Sequence, residues 1–203
     1  MTIKYLIRNR AHYTSIILKK FTSILWKAVN YASAHWWGVK IGKRCKFNGK
    51  TKFYRLQEGN ITIGNNCTFN SSTTSNLSGL FTPCIISTAK RGAKITIGKG
   101  CGFSGTRIRC GTSITLGDQV RCGANTYIAD TDAHSKDYRV SNDRPVVIDN
   151  NVWLGLNVVV LKGVHIGENS LIGANSVVTK DIPANVIAVG NPCRIIKQLN
   201  PQE

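Results

Sequence analysis

The sequence has few acidic residues, few prolines and no long apolar runs, and each shortage excludes a class of protein. Only 10 Asp and Glu stand against 27 Lys and Arg in 203 residues, so the formal net charge is +17, and no acidic residue precedes Glu58. Five Pro without a Gly-X-Y register exclude a collagen-like chain, and 42% hydrophobic with only 18% charged residues excludes global disorder. The composition therefore predicts one folded domain with a sizeable core.

Membrane-spanning and export signals are also missing. No segment reaches the roughly 20 apolar residues that cross a bilayer, because Lys19, Lys20 and Lys27 interrupt the one candidate. The start has no charge-free apolar core followed by a small-residue cleavage site, so we expect no secretory signal. Seven cysteines without a Cys-X-X-Cys pair predict reduced thiols. These features together predict a cytoplasmic protein.

A six-residue period organises the second half of the chain. An aliphatic residue recurs at every sixth position, namely at Ile148, Leu154, Val160, Ile166, Ile172 and Val178. A small or β-branched residue follows four positions after each, at Val152, Val158, Val164, Ser170, Ser176 and Ile182. Helices and simple strand alternation do not produce this period, whereas one short strand plus one corner does. The hexads therefore predict a coiled prism with about three hexads in each triangular turn.

The period extends upstream through the phrases ITIGNNC (61–67), ITIGKGC (95–101) and ITLGDQV (114–120). The step from ITIGNNC to ITIGKGC exceeds one turn by about 16 residues, and the step from ITLGDQV to VVIDNNV (146–152) exceeds it by about 14. These extra residues predict loops near 70–84 and 131–145. Loops on a rigid scaffold are where functional residues usually lie. The same register places Cys67, Cys101, Cys110 and Cys122 at corner or inward positions. We interpret them as small buried side chains and not as zinc ligands.

Residues 1–38 do not follow the period and predict an amphipathic helical arm, before a β-helix over 39–190 and a tail over 191–203. One helical face carries Ile17, Phe21, Ile24 and Ala28. Two interpretations of this arm stay open. The helix packs on the prism or on a neighbouring subunit, or its basic residues and Trp26, Trp36 and Trp37 contact an anionic membrane.

Two stretches resemble a known family. The hexads from 61 to 182, with IDNNVWLGLNVVVLKGVHIGENSLIGANSVVTKDIPANVIAVGNPCRIIK (148–197), resemble the hexapeptide-repeat acyltransferases. The segment GFSGTRIRCGTSITLGDQVRCGANTYIADTDAHSKD (102–137) resembles their sugar O-acetyltransferase branch, which includes galactoside, maltose and capsule or exopolysaccharide acetyltransferases. This resemblance implies a left-handed parallel β-helix, a homotrimer, and acetyl-CoA as donor substrate without a metal.

The resemblance makes His134, in the phrase DTDAH, the candidate catalytic base. A neutral imidazole can take a proton from a sugar hydroxyl and return it to the departing thiolate. Asp132 and Asp130 can orient the imidazole, although both are equally suited to turns. We favour Asp132 for the catalytic role and group Asp130 with the acceptor-side candidates Asn125 and Ser104.

The remaining candidates concern coenzyme A. Trp153 is expected to form a wall of the pantetheine slot, with Gly155 as a backbone N–H donor to the oxyanion and Ala174 as a small residue that allows close approach. The cations that suit the phosphates are Lys180, Arg194 and Lys197. A plain corner glycine and a solvated basic face are the alternative interpretations.

These observations predict an acetyl-CoA-dependent O-acetyltransferase for a sugar hydroxyl, acting in surface polysaccharide biosynthesis at the inner face of the membrane. The alternatives are another acceptor, such as serine, an antibiotic or an amino sugar, or a basic protein that binds nucleic acid or membrane without catalysis. Nucleic acid is disfavoured because the sequence has no RRM, KH, OB or zinc pattern and its basic excess lies outside the repeats.

Overall fold

The computed structural model describes residues 10–134 and 137–200, in which one long helix precedes twenty short strands. Helix α1 covers Arg10–Trp36. Neither Gly nor Pro occurs before Gly38, so no residue breaks the helix earlier. The helix ends where Gly38 adopts φ +63, a left-handed conformation that glycine takes without strain.

The strands form three sheets that make the faces of a triangular prism. Sheet A contains β1 (Lys40–Ile41), β4 (Asn60–Ile63), β7 (Lys94–Ile97), β10 (Ser113–Leu116), β13 (Val146–Ile148) and β16 (His165–Ile166). Sheet B contains β2 (Lys46–Asn48), β5 (Thr68–Asn70), β8 (Gly102–Ser104), β11 (Arg121–Ala124), β14 (Trp153–Leu154), β17 (Leu171–Ile172), β19 (Val186–Val189) and β20 (Arg194–Gln198). Sheet C contains β3 (Lys52–Tyr54), β6 (Ile85–Thr88), β9 (Arg107–Cys110), β12 (Tyr127–Ala129), β15 (Val159–Val160) and β18 (Val177–Val178).

The strand register confirms the six-residue period. Ile148 pairs with Ile166, Leu154 with Ile172 and Val160 with Val178, so strands one coil apart are offset by three hexads. All six of these side chains are fully buried. All strand pairs are parallel except β19–β20. Residues 191–203, expected to be a tail, therefore contain an antiparallel strand at the end of sheet B.

The prism interior is filled by stacked side chains. The rings of Phe47, Phe69 and Phe103 lie 5.0 Å apart in successive coils, and Tyr31 of α1 adds an edge-on ring 5.9 Å above Phe47. All seven cysteines are free and buried. Burial raises the pKa of the Cys110 thiol to about 12, with the nearby Asp130 adding to this effect, so the thiol remains protonated near neutral pH.

Asparagine recurs where the chain turns the corner between sheets A and B. Asn151, Asn169 and Asn185 adopt φ near +60, which asparagine tolerates better than most residues. The Asn151 amide donates to Asn169 at 2.9 Å, and the Asn169 amide donates to Asn185 at 3.0 Å. This ladder aligns consecutive coils, and it accounts for the repeated Asn in the corner phrases.

Helix α1 caps the N-terminal end of the prism. It contacts β1, β2 and β3, which are the first strands of the three sheets. Asn30 is fully buried. Its polar groups are satisfied there, since its amide donates to Gly49 O at 3.0 Å and its carbonyl accepts from Thr51 N at 2.7 Å.

The predicted apolar face points away from the prism. Phe21 and Ile24 are 68% and 72% exposed, and Ala28 is also exposed. The helix therefore contacts the prism through its other face, and its apolar face is left exposed. The side chain of Ile17 lies outside the described part of the chain.

Candidate active site

Most of the predicted site residues lie on two edges of the prism, one on each side of sheet C, whereas Trp153, Arg194 and Lys197 lie on strands of sheet B. We call the two edges the B–C edge, between the ends of the sheet B strands and the sheet C strands, and the C–A edge, between sheets C and A. Two long loops leave the prism at these edges. Residues 71–84 connect β5 to β6 at the B–C edge, and residues 130–145 connect β12 to β13 at the C–A edge.

Asp130 begins the loop at the C–A edge and is fully buried. Its carboxylate accepts hydrogen bonds from Thr112 N and Ser113 N, both at 2.7 Å, and from Gly111 N. The carboxylate thus satisfies the backbone of the corner in the coil below. The expectation that Asp130 contacts an acceptor is corrected, because no part of the side chain reaches the surface.

Asp132 is exposed and forms an ion pair with Lys162 of the next coil. The Lys162 ammonium also donates to the carbonyl of Ser141 at 2.7 Å, and only 10% of its side chain is exposed. The expected partnership between Asp132 and the imidazole of His134 is therefore replaced by one with a lysine. We therefore expect Asp132 to stabilise the loop that carries His134 through this ion pair.

A second ion pair holds the far end of the same loop. Lys90 Nζ lies 2.6 Å from the Asp143 carboxylate, which is 9% exposed. Burial raises the pKa of Asp143, but the hydrogen bonds from Lys90 and Thr131 and the nearby Lys162 outweigh burial and hold it below 3.8. The ionised form of Asp143 therefore stabilises the loop base.

His134 lies in this loop and is exposed to solvent. The preceding residue, Ala133, has φ +65, an uncommon conformation for a residue with a Cβ. Its N–H is held by the hydroxyl of Thr131 at 3.1 Å. Ten other non-glycine residues of the described chain also have a positive φ, so at Ala133 it marks a tight turn of the loop. The imidazole is thus presented outward from a loop that is fixed at both ends.

Asn125 and Ser104 lie at the B–C edge, and both are largely buried. The Asn125 amide donates to Gly79 O at 2.9 Å, and its carbonyl accepts from Phe81 N at 2.9 Å. The Ser104 hydroxyl accepts from the Asn70 amide at 3.1 Å. Asn125 thus anchors the 71–84 loop. Ser104 forms its hydrogen bond with Asn70, the residue that precedes this loop.

Gly155 and Ala174 stack on the same edge in successive coils. The Gly155 N–H donates to Ile172 O at 2.8 Å within the strand ladder, so it is not available to an oxyanion and that expectation is corrected. A Cβ at position 155 would lie 2.8 Å from Ala174 N, so the close approach of the coils requires glycine. Trp153, two residues earlier on sheet B, is 49% exposed.

Lys180 and Arg194 come together near the C-terminal end of the prism. They line one surface pocket with Asp181, Ile182, Cys193 and Ile195. Both cations are exposed. A shared position of two cations suits a phosphate-bearing ligand. Lys197 lies on β20 and is exposed.

Lys162 is not among the residues predicted from the sequence, although the hexads contain the information needed to place it. The step from Leu116 to Ile148 is one coil plus a loop, and the same step from Asp130 leads to Lys162. Lysine at that corner therefore lies directly beside the base of the loop that carries His134. Asp143 could not be found in this way, because it lies within the loop.

Comparisons with known proteins agree with this architecture. The chain matches the family model described as bacterial transferase hexapeptide (six repeats) over residues 145–180. It matches the model described as hexapeptide repeat of succinyl-transferase over 94–129. Galactoside O-acetyltransferase of Escherichia coli strain K12 is 43% identical over 96 residues, which are 45% of this chain and 47% of that protein.

The corresponding enzyme of Lactococcus lactis is 47% identical over 97 residues, 45% of this chain and 46% of that protein. The chain thus matches about half the length of these curated relatives. A solved hexapeptide-repeat acetyltransferase from Vibrio cholerae has a TM-score of 0.53 at 26% identity and covers 85% of this chain and 81% of its own.

The fold and the repeats define a hexapeptide-repeat protein whose prism is a left-handed parallel β-helix, as predicted. The chain is thus similar to the hexapeptide-repeat acetyltransferases over the repeats at 94–129 and 145–180, and to galactoside O-acetyltransferases over 45% of its length. No helix in the described residues is long and apolar enough to cross a membrane.

Proposed function

We propose that the protein transfers the acetyl group of acetyl-CoA to a hydroxyl group of a sugar. The observation that carries this proposal is His134, an exposed imidazole on a doubly anchored loop beside the tight turn at Ala133. The similarity to galactoside O-acetyltransferases supports the same chemistry and the same class of acceptor.

In this mechanism the neutral imidazole of His134 removes the proton of the acceptor hydroxyl. The hydroxyl oxygen then forms a bond to the thioester carbonyl carbon, and the resulting tetrahedral oxyanion collapses with cleavage of the carbon–sulfur bond. The imidazolium returns its proton to the departing thiolate, so His134 ends the cycle neutral. The products are an O-acetylated sugar and coenzyme A.

The donor would lie along the C-terminal coils. Trp153 offers an exposed aromatic surface, and Ala174 leaves room beside the edge for an extended pantetheine arm. Lys180 and Arg194 supply positive charge to the phosphates from their shared pocket. A solved galactoside acetyltransferase of the same fold, 26% identical with a TM-score of 0.50, is described in complex with coenzyme A.

A homotrimer would complete the site. In one chain His134 is attached to the C–A edge, whereas Gly155, Ala174 and the 71–84 loop lie at the B–C edge across sheet C. A threefold arrangement that places the C–A edge of one protomer against the B–C edge of the next brings these elements together. The location we propose is cytoplasmic, at the inner face of the membrane, where precursors of surface polysaccharides are assembled.

A transfer assay with mass detection tests this function. The full-length protein is incubated with acetyl-CoA or succinyl-CoA and, separately, with glycans, lipid-linked sugars, nucleotide sugars, serine and an amino sugar. We expect an acetyl ester on a sugar hydroxyl with acetyl-CoA as donor. An amide product, a succinyl product, or no transfer to any sugar would contradict the proposal.

A further inference from the structure

The charge of the molecule is strongly polarised along the prism axis. Each coil of a β-helix advances along the axis, so position in the sequence corresponds to height in the prism. In the described coils, residues 39–117 contain 13 Lys and Arg and a single acidic residue, Glu58, whereas residues 118–134 and 137–200 contain seven Lys and Arg against eight Asp and Glu. The N-terminal end is thus cationic and the C-terminal end is close to neutral.

The first coil has exposed cations on all three faces. These exposed residues are Lys40, Lys43, Arg44, Lys46, Lys50 and Lys52, and Lys27 of α1 lies beside them. They occupy β1, β2, β3 and the turns between them. The cations therefore surround the end of the prism in every direction.

Helix α1 covers this end and turns an apolar stripe outward. The stripe consists of Phe21, Ile24, Leu25 and Ala28, whose spacing places them on one helical face, and of Trp36 near the helix end. Phe21 and Ile24 are more than two-thirds exposed, Leu25 is 52% exposed and Trp36 is 85% exposed. The opposite face, with the buried Asn30 and Ala34, packs on the prism.

We propose that this N-terminal end docks on an anionic lipid bilayer. The apolar stripe would enter the headgroup region, and the surrounding cations would lie at the level of the lipid phosphates. An apolar helix face within a ring of positive charge fits a surface that is apolar inside and anionic outside. A second copy of this end would fit poorly, because the two cationic rings would repel each other.

Vesicle co-sedimentation of the full-length protein tests this docking. The probes are phosphatidylcholine vesicles with and without phosphatidylglycerol. We expect binding only to the anionic vesicles at low salt, weakened at about 0.15 M salt, where charges are screened beyond about 8 Å. Phe21→Ser with Ile24→Ser should reduce the partition coefficient at least about tenfold.

A matched pair of charge variants distinguishes docking from general basicity. Changing Lys40, Lys43 and Lys46 to Gln should weaken vesicle binding about 10²-fold. Changing Lys94, Lys99 and Arg121 to Gln removes the same charge from sheets A and B, roughly 10 to 14 Å further along the axis, and should have little effect.

Equal losses in both variants would overturn the proposal, as would absence of vesicle binding. A change of oligomeric mass in the stripe variant, or RNA binding through the first-coil lysines without lipid binding, would also overturn it. Acetyl-CoA binding, followed by thermal shift, should be retained in every variant. If the parent protein itself does not bind acetyl-CoA, that result would instead count against the proposed function.

A separate observation concerns the loop that carries His134. The Lys162 ammonium is nearly buried and binds Asp132 on one arm of this loop and Ser141 O on the other. We infer that Lys162 is a positioning residue, which closes the loop around His134 and fixes where the imidazole points. This inference rests on the proposed role of His134.

Hydrogen exchange combined with kinetics tests the positioning role. Lys162→Met should increase amide exchange within 131–145 and lower kcat about tenfold or more, with KM for acetyl-CoA nearly unchanged. Lys162→Arg should restore most of the exchange protection and most of kcat. Lys99→Met, which breaks the Lys99–Asp118 pair elsewhere on the prism, should change neither the amide exchange of the loop nor kcat. Unchanged exchange in Lys162→Met would overturn the inference whether or not the protein acetylates sugars.

Discussion

The two carboxylates that precede His134 in the phrase DTDAH are both committed to other partners. Asp130 is buried beneath three backbone N–H groups, and Asp132 is paired with Lys162. Both hold the loop, and the imidazole of His134 is exposed beside them. In the mechanism that we propose, the proton transfers would depend on this one side chain.

Replacing His134 by Ala should lower the rate of acetyl transfer about 10² to 10⁴-fold, because it removes the base that accepts the hydroxyl proton in the proposed mechanism. The melting temperature and the affinity for acetyl-CoA should stay nearly the same, since the ring is exposed. His165→Ala is the matched control, because it removes another exposed imidazole, one paired with Asp149 on sheet A. Activity of the His134 variant within tenfold of the parent would remove it from the mechanism.

Replacing Asp130 by Ala should destabilise the fold. Three backbone N–H groups of 111–113 would lose their acceptor in a buried corner, so the free energy of unfolding should fall by about 3 kcal/mol or more. Asp130→Asn keeps one acceptor oxygen, so its free energy of unfolding should fall by less than that of the Ala variant. Urea unfolding measures both, and a loss below about 1 kcal/mol in the Ala variant would show that the buried contacts are not stabilising.

At the scale of elements, the 130–145 loop should respond to acid through Asp143. The pKa of this carboxyl is lowered in the folded protein, so its contribution to stability is present above the unfolded value near 3.8 and is lost as pH falls through the folded value. Asp143→Asn should therefore be less stable than the parent at neutral pH, and the difference should shrink below about pH 4. Thermal melts across pH measure this, and a difference that grows on acidification would reverse the sign we assign.

The faces of the prism were predictable because six side chains, from Ile148 to Val178, repeat a single spacing that only one kind of coil satisfies. The orientation of α1 was not predictable from the sequence. Hydropathy places Asn30 on the polar face of the helix, whereas this side chain is buried and forms two hydrogen bonds with the backbone of the prism. The burial of Asp130 was hidden for the same reason. Its partners are backbone groups 17 to 19 residues away, and a side-chain pattern does not reveal them.

At the scale of the whole molecule, two polarities govern how the protein works. Charge is concentrated at the N-terminal end, and the candidate catalytic groups are divided between two edges on either side of sheet C. The first polarity suits attachment through the capped end, which leaves the edges free along their length. In the homotrimer that we propose, the second would mean that one protomer supplies His134 and another the edge that faces it.

The most direct test of this account is activity in mixed trimers. His134→Ala disables the C–A edge and Ala174→Trp, a bulky change at an exposed position, obstructs the B–C edge, so each variant alone should be nearly inactive. When equal amounts are unfolded and refolded together, random assembly restores both wild-type edges at about a quarter of the interfaces, so about a quarter of parental activity should return. If each chain held a complete site, the mixture would be as inactive as its components, and that result would contradict the account.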